Sequence, residues 1–581
     1  MQRPIKKART DLSLSTELRT KRSAFLASLS RPVSPPLNVA ESTEFDVGAK
    51  FVRKNPCLPV QPGISTSNEP TDHKSKQKSS QASRRMVRSP FQLTTVAGLP
   101  SKDNVDTISL HDILGDPLIK QAWIFNFCFD VNWTMQHFDQ DVRDLVDVKI
   151  VHGSWRKEDG NRLAIQEHLK IWKNVQEIQA YMPDPFGTHH SKMIILFKHD
   201  ETAQVVIHTA NMLEKDWEHM TQAVWKSPSL PLLQKPDHAE LQLGSFGSGA
   251  RFKHDLLRYT KAYGTKLKLL TEQLAKYDFD KVRGAIVASV PSYQKGSDPP
   301  DSAWGHLSLR NVLALKPMKD PNASSTTTPH HLVCQVSSIA TLPPTWLDET
   351  IFKAAEPSSS AAPSKRKPKP STTSIIYPTP TDLRNALTGY ATGGSIHTKV
   401  HSAAQQKQVT LLRPQLHRWG AQSMEEGTRA ARHLIPPHIK TYICYETKPT
   451  STNPTPDVEW ALVTSANLST QAWGTAPKMP KGVKDPDQAV VHIQSFEIGV
   501  LVWPELFLEE QDEEVTARMI PVFGKDTPNV PQTVASADTS EVIVGMRMPY
   551  DLPLTPYAIN EMPWSPGATY FEPDRLGRTW D

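Results

Sequence analysis

The sequence predicts an α/β or α+β chain built from two similar halves. Short apolar runs bounded by turn residues alternate with helix-like patterns. A block made of His-x-Lys, an apolar strand and an Asn occurs twice, 248 positions apart. At 581 residues, the chain exceeds one ordinary core. A hydrophobic content of 38% is enough to fill two.

Residues 1–88 are rich in Ser, Pro, Lys and Arg and read as a disordered basic tail. They hold 17 Lys/Arg against 7 Asp/Glu, leaving 49 against 54 for the remainder, so the net +5 belongs to the tail. Clusters such as "PIKKAR" and "TKRS" fit nuclear import or nucleic-acid affinity as well as a plain solvated arm. The first residues lack the apolar stretch of a secretory signal. No apolar run approaches 18 residues, so no membrane span is expected. The four cysteines (57, 128, 334, 444) lie far apart without a C-x-x-C. They predict a reducing compartment, no disulfide frame and no zinc site.

The first domain is expected over 89–290. "WIFNFCFDVNW" alternates as a strand would, and "DVKIVHGS", "EIQAYMPD", "SKMIILFK" and "AQVVIHTAN" read as further strands. "RLAIQEHLKIWKNV" and "FKHDLLRYTKAYGTKLKLLTEQLAKY" read as helices. A crossover over 289–305 leads to the second domain, 291–581, with strands at "HLVCQVSSIATL", "TSIIYPT", "KTYICYE", "EWALVTSAN" and "FEIGVLVWP". Residues 354–374 are a low-complexity insertion expected to be a mobile loop.

The repeated block carries the chemistry. His190-Ser-Lys192 is followed by an apolar strand and Asn211; His438-Ile-Lys440 is followed by an apolar strand and Asn467, at spacings of 21 and 29. A Trp follows each Asn, Trp217 and Trp473. On a strand, residues two apart face the same way, so each His and Lys project together while Ser191 points oppositely. Two such half-sites would set two imidazoles, two ammoniums and two carboxamides around one point. That set suits a phosphodiester. One imidazole attacks phosphorus, the other protonates the leaving oxygen and later activates water, and Lys and Asn donors bind the non-bridging oxygens. No carboxylate belongs to the set, which argues against a two-metal nuclease. His189 and His208 lie outside the pattern and read as structural, as do Ser465 and Ser469 as caps. With 21 histidines, about one chance H-x-K is expected. His397-Thr-Lys399, with no strand or Asn block after it, reads as surface.

Paired H-x-K motifs with a downstream Asn resemble the phospholipase D superfamily. The Asp that follows the Lys by five positions in its lipid-hydrolysing members is replaced by Phe197 and Tyr445. The H-K-N version resembles the tyrosyl-DNA phosphodiesterase family, in a fungal-type form. "PFGTHHSKM", "DWEHMTQAVW", "CQVSSI", "GGSI", "PHIKTY", "LVTSANLS", "SFEIGVLVWP" and "PYDLPLTPY" agree, and the likeness covers about 89–581.

The resemblance implies two phospholipase D-like domains, each a mixed sheet flanked by helices. They form a pseudo-two-fold pair with the active site between them. It implies His190 as nucleophile, forming a 3′-phosphohistidine, and His438 as general acid and base. Lys192, Lys440, Asn211 and Asn467 would bind phosphate, and Gln222 and Glu497 would orient the histidines. On the DNA side it implies a base-stacking Phe186, with Ser337, Ser338, Ser395, Lys407 and Ser469 on backbone phosphates; hydroxyl donors position phosphates without reading sequence, and an aromatic suits single strands. Phe127 and Trp564 fall on the peptide side. The implied activity is metal-independent, cofactor-free hydrolysis of a 3′-phosphotyrosyl bond left by stalled topoisomerase I, with other blocked 3′ ends as further substrates. The chain would be a nuclear monomer that binds DNA and no membrane. The alternatives are a phospholipase D-type lipase or general nuclease, and a catalytically dead DNA-binding scaffold.

Overall fold

The computed structural model describes residues 84–234, 243–315, 330–355, 372–446, 456–485, 488–509, 512, 515–529 and 540–581. Most of the expected tail and the interior of the 354–374 insertion therefore lie outside the described residues.

Two large mixed sheets organise the fold. One runs Phe91–Leu93, Ala223–Lys226, Thr202–His208, Met193–Lys198, Ile119–Phe125, Asp147–His152 and Val175–Gln179. The other runs Arg84–Val87, Glu541–Arg547, Thr516–Val522, Val458–Thr464, Thr441–Glu446, His330–Gln335, Thr372–Tyr377 and Leu416–Arg418; Glu497–Val502 also pairs with Val458–Thr464.

The repeat seen in the sequence recurs in the pairing. Met193–Lys198 lies antiparallel between Thr202–His208 and Ile119–Phe125, which in turn pairs parallel with Asp147–His152. Thr441–Glu446 lies antiparallel between Val458–Thr464 and His330–Gln335, which pairs parallel with Thr372–Tyr377. Each His-x-Lys block thus enters a central strand, and each Asn follows the next strand by three residues.

The interiors of these central strands are apolar because both faces are covered. Trp123, Phe125, Met193, Ile195 and Ile207 join a core that continues through Ile443, Leu462 and Val500 of the second sheet. The alternate residues Ile124, Ile194, Leu196 and Val206 face a separate core with Val131, Met135 and Ile165. These three lie on the helices Val131–Met135 and Gly160–His168. One core shared by two sheets fixes their spacing, and the site between them depends on that.

Several expectations change. Residues 84–88 are ordered: Arg84–Val87 pairs with Glu541–Arg547, Arg84 faces Glu541 at 3.7 Å and Arg85 reaches Asp512 at 2.8 Å. Their charge reads as tail but serves as ion pairs at a sheet edge. Ala285–Ser289, placed with the first half by the 290/291 boundary, pairs with Glu497–Val502 in the second sheet; a strand buried along its whole length carries no mark of which sheet it joins. The strand expected over 123–133 ends at Phe125, and Asp130 caps a helix instead, its carboxylate accepting from Trp133 N at 2.9 Å. The long helix expected near 252–277 breaks into Gly249–Lys261 and Lys268–Leu274 around Gly264, whose φ of +67° a side chain disfavours. Ala354 and Thr372–Ser374, given to the insertion, lie in the helix Lys353–Ala355 and the strand Thr372–Tyr377. No helix among the described residues is long and apolar enough to cross a membrane.

Candidate active site

Each histidine is held by a residue from the other half. His190 N donates to Phe496 O at 2.9 Å, and His189 bridges Phe496. Glu497, the next residue, places Oε2 at 2.9 Å from His190 Nδ1. In the mirror arrangement Thr221 bridges Pro437, and His438 N donates to Thr221 O at 3.1 Å. Gln222, again the next residue, places Nε2 at 3.1 Å from His438 Nδ1.

A hydroxyl two residues before each Asn locks these holders. Thr209 Oγ1 accepts from Ala223 N at 3.0 Å and donates to Gln222 Oε1 at 2.7 Å. Ser465 Oγ accepts from Ile498 N at 3.0 Å and donates to Glu497 Oε2 at 2.5 Å. Ser465 is therefore no helix cap. Its signal was present in the sequence as the shared hydroxyl-Ala-Asn of "TAN" and "SAN".

The pair Glu497/Gln222 makes the histidines unlike. Because Thr209 fixes Oε1 of Gln222, and Nε2 also donates to Asp216 O at 3.0 Å, Nε2 must donate to His438 Nδ1. Neutral His438 then carries its proton on Nε2. Glu497 accepts from His190 Nδ1, which leaves the His190 Nε2 lone pair bare. Burial alone would raise the Glu497 carboxyl, but His190, Ser465 and Lys192 hold it below the usual range. Burial pushes His190 down, with Glu497 opposing, and pushes His438 well down, aided by Lys440 and Lys192.

The lysines are buried cations. Lys192 Nζ donates to His190 O at 3.2 Å, and burial lowers it to about 8. Lys440 Nζ donates to His438 O, lies 3.3 Å from both His438 ring nitrogens, and is depressed by burial and by Lys192. Two ammonium groups buried in one site are costly to keep charged unless an anion joins them.

The asparagines are anchored differently. Asn467 Oδ1 accepts from Ser338 N at 2.8 Å, Ser337 N at 3.1 Å and Ser337 Oγ at 3.2 Å, which turns its Nδ2 donors elsewhere. Asn211 Nδ2 donates to Asp216 Oδ2 at 2.8 Å. That carboxylate oxygen also accepts from Asn211 N at 3.0 Å and lies 3.4 Å from His438 Nδ1. Asp216 is fully buried, and nothing in the sequence singled it out.

A cleft of about 620 Å³ opens on this centre, lined by Thr188, His190, Ser338, Asn467, Ser469, Glu497 and Ser565 among others. Phe127 packs edge-on against His190, ring centres 5.6 Å apart. Phe186 is 76% exposed, on a turn that Asp184 pins by accepting from Phe186 N at 2.8 Å. At Gly187 a Cβ would sit 2.0 Å from Gln494 O, so only Gly lets this turn lie against the second half.

The other expected contacts divide. Ser338 and Ser469 line the cleft, although Ser469 Oγ also accepts from Ala472 N at 3.1 Å as a helix cap. Ser337 is buried with its hydroxyl on Asn467, so it positions the Asn. Ser395 is buried at the end of the Gly389–Ser395 turn, and Lys407 is exposed on the helix Ala403–Leu412; neither lines the cleft. Trp564 is no groove surface: fully buried, it stacks on Tyr570 at 4.6 Å and donates to Gly393 O at 3.0 Å. It props the segment that brings Ser565 to the cleft.

His397 and Lys399, read as surface, line the cleft instead, because Ser338–Ile339 pairs parallel with His397–Thr398. Among the excluded residues, His189 is structural, with Asn126 O at 3.1 Å and Tyr263 Oη at 3.0 Å, and His208 is buried against Trp217. Ser191 faces away as expected, bonded to Tyr259.

Comparison with known proteins gives the family of the chain. A family model described as tyrosyl-DNA phosphodiesterase matches residues 90–558. A probable tyrosyl-DNA phosphodiesterase of Schizosaccharomyces pombe is 30% identical over 552 residues, spanning 86% of this chain and 96% of the relative. Tyrosyl-DNA phosphodiesterase 1 of Arabidopsis thaliana is 27% identical, spanning 85% of this chain and 76% of its own length. The crystal structure of yeast tyrosyl-DNA phosphodiesterase shares the fold at a TM-score of 0.55 and 22% identity, covering 83% of this chain and 99% of that one. The chain belongs to the tyrosyl-DNA phosphodiesterase family.

Proposed function

We propose that this chain is a DNA-repair hydrolase that cleaves the phosphodiester between a 3′ DNA end and a tyrosine, in two steps through a phosphohistidine. The observation that carries this reading is the unlike holding of the two histidines, a carboxylate on His190 and an amide on His438.

His190 Nε2 attacks phosphorus as the bond to the tyrosyl oxygen breaks, and that oxygen leaves with the electron pair and takes a proton from His438. Burial keeps His438 neutral in the free site. The negative charge of a phosphodiester between Lys192 and Lys440 offsets their effect and favours protonated His438, with the Asp216 carboxylate 3.4 Å from its Nδ1 as a nearby opposite charge. Once the proton is given up, His438 takes one from water. The hydroxide attacks phosphorus, the P–N bond breaks, and a 3′-phosphate leaves. The two lysines and the Asn467 Nδ2 donors bind the non-bridging oxygens.

The DNA strand leaves past Ser338 and Ser469 with Phe186 stacking on a base, and the tyrosyl peptide lies on the Phe127 side. Topoisomerase I peptides are the expected source of the adduct, other blocked 3′ ends are further substrates, and the nucleus is the expected compartment.

The test is an oligonucleotide ending in 3′-phosphotyrosine, incubated with excess EDTA. Conversion to a 3′-phosphate by the intact chain, lost in His190→Ala and in His438→Ala, supports the reading. Binding of the oligonucleotide without cleavage by the intact chain would overturn it in favour of a scaffold. Hydrolysis of phosphatidylcholine instead would favour a lipase.

A further inference from the structure

Remote from the phosphate chemistry, three unlike metal-ligand types meet on neighbouring strands. His330, Cys444 and Glu459 lie on His330–Gln335, Thr441–Glu446 and Val458–Thr464, which are adjacent in the second sheet. One donor atom of each falls within 4.8 Å of the other two. Glu459 Oε2 is 2.8 Å from His330 Nδ1 and 3.5 Å from Cys444 Sγ.

A β-bulge builds this meeting. Cys444 pairs with Trp460 and Tyr445 with Val458, so Glu459 is the extra residue with no partner on the facing strand. In an unbroken antiparallel ladder Glu459 would face away from Trp460 and hence away from Cys444. Bulges re-aim side chains in this way. An ordinary His–Glu ion pair needs no thiol beneath it, and here the carboxylate is aimed at both groups.

We propose that His330, Cys444 and Glu459 bind one zinc ion. Thiolate, imidazole and carboxylate together are a zinc donor set, and three protein ligands leave the fourth position to water. A tetrahedral zinc with bonds of about 2.0–2.3 Å holds its donors roughly 3.3–3.6 Å apart. The Sγ–Oε2 distance already fits, and the His330–Glu459 pair opens by about half an ångström. Cys444 is buried while His330 and Glu459 are partly exposed, so solvent has access to the open position. The ligands are 114 and 15 positions apart along the chain, which is why a search for C-x-x-C spacing misses them.

The three strands make the site more than a surface trap. Their other ends carry the second half-site: Ser337 follows the first, Lys440 precedes the second, and Ser465 and Asn467 follow the third. Zinc at the near end clamps the strands that hold His438 and Asn467 in place. It takes no part in bond cleavage, so EDTA leaves turnover intact and lowers the melting temperature.

Metal content after dialysis against micromolar zinc tests this, with cobalt substitution as a second readout and circular dichroism as a check on folding. The expected result is one zinc per chain, a raised melting temperature, and a thiolate-to-cobalt charge-transfer band. Cys444→Ser and His330→Ala would each lose the zinc and the thermal shift, and Cys444→Ser would lose the band. Should Cys444→Ser fail to fold, His330→Ala decides alone. No zinc on the intact chain, or zinc and the thermal shift retained by folded variants, would overturn the proposal.

Discussion

Gln222 and Glu497 occupy matching places in the two halves: each sits one residue past the bridge between them and reaches Nδ1 of the other half's histidine, at 3.1 and 2.9 Å. Amide and carboxylate at equivalent points divide the work between two otherwise similar imidazoles. Glu497→Gln removes the acceptor that keeps the proton on His190 Nδ1. Single-turnover release of tyrosine should then slow by roughly 100-fold, the lower end of what a positioned proton-transfer group contributes, with melting temperature little changed. An unchanged rate would remove the basis for assigning His190 as nucleophile.

Asp216 faces Nδ1 of His438 at 3.4 Å, with Gln222, Lys440, Lys192, His190 and Lys215 as the other polar and charged groups acting on that ring. Its charge favours the protonated acid, whose supply ends as pH rises. Asp216→Asn should therefore move the alkaline limb of the pH–rate profile to lower pH. A uniform drop in rate with no displacement would mean that Asp216 only holds Asn211.

Lys192 carries its charge below about pH 8 and loses it above, because burial lowers it from 10.5. Affinity for inorganic phosphate should weaken as pH rises through that value. Stability moves the other way. From about 8 up to 10.5 the unfolded chain holds a proton that the native chain has shed, so the free energy of unfolding rises with pH across that window from this group. Lys192→Met should remove this group's share of both dependences while leaving the fold intact, checked by phosphate-induced shifts in melting temperature.

Phe186 stands exposed two residues from Thr188, which lines the cleft. Phe186→Ala should weaken binding of a single-stranded oligonucleotide by about 1–3 kcal/mol, the value of one base stacked on an aromatic ring, and leave the bound-state rate nearly unchanged. Fluorescence anisotropy with a 3′-labelled strand measures the first, and single-turnover kinetics the second.

Features that are contiguous along the chain are legible in it. His-x-Lys, the apolar strand and the hydroxyl-Ala-Asn block lie in one stretch, and both copies fold alike. Gln222 and Glu497 have no local pattern, since what selects them is a bridge to the opposite half; only the likeness to a known family points to them. Asp216 escapes for the same reason: its role comes from facing His438, 222 positions away. His397 has no strand or Asn block downstream, yet its place is decided by the pairing with Ser338, 59 positions upstream. Trp564 sits in a stretch whose neighbours reach the cleft, but a large aromatic beside Tyr570 and Trp580 buries itself.

The most direct test of the account is to trap the covalent step. His438→Ala should still let His190 displace the tyrosine, a good leaving group, but leave no base to activate water. Incubated with the 3′-phosphotyrosyl oligonucleotide, this variant should accumulate a protein–DNA adduct that mass spectrometry places on His190, and His190→Ala,His438→Ala should form none. An adduct on another residue, or product formed by His438→Ala at the intact rate with no adduct, would contradict the two-histidine mechanism.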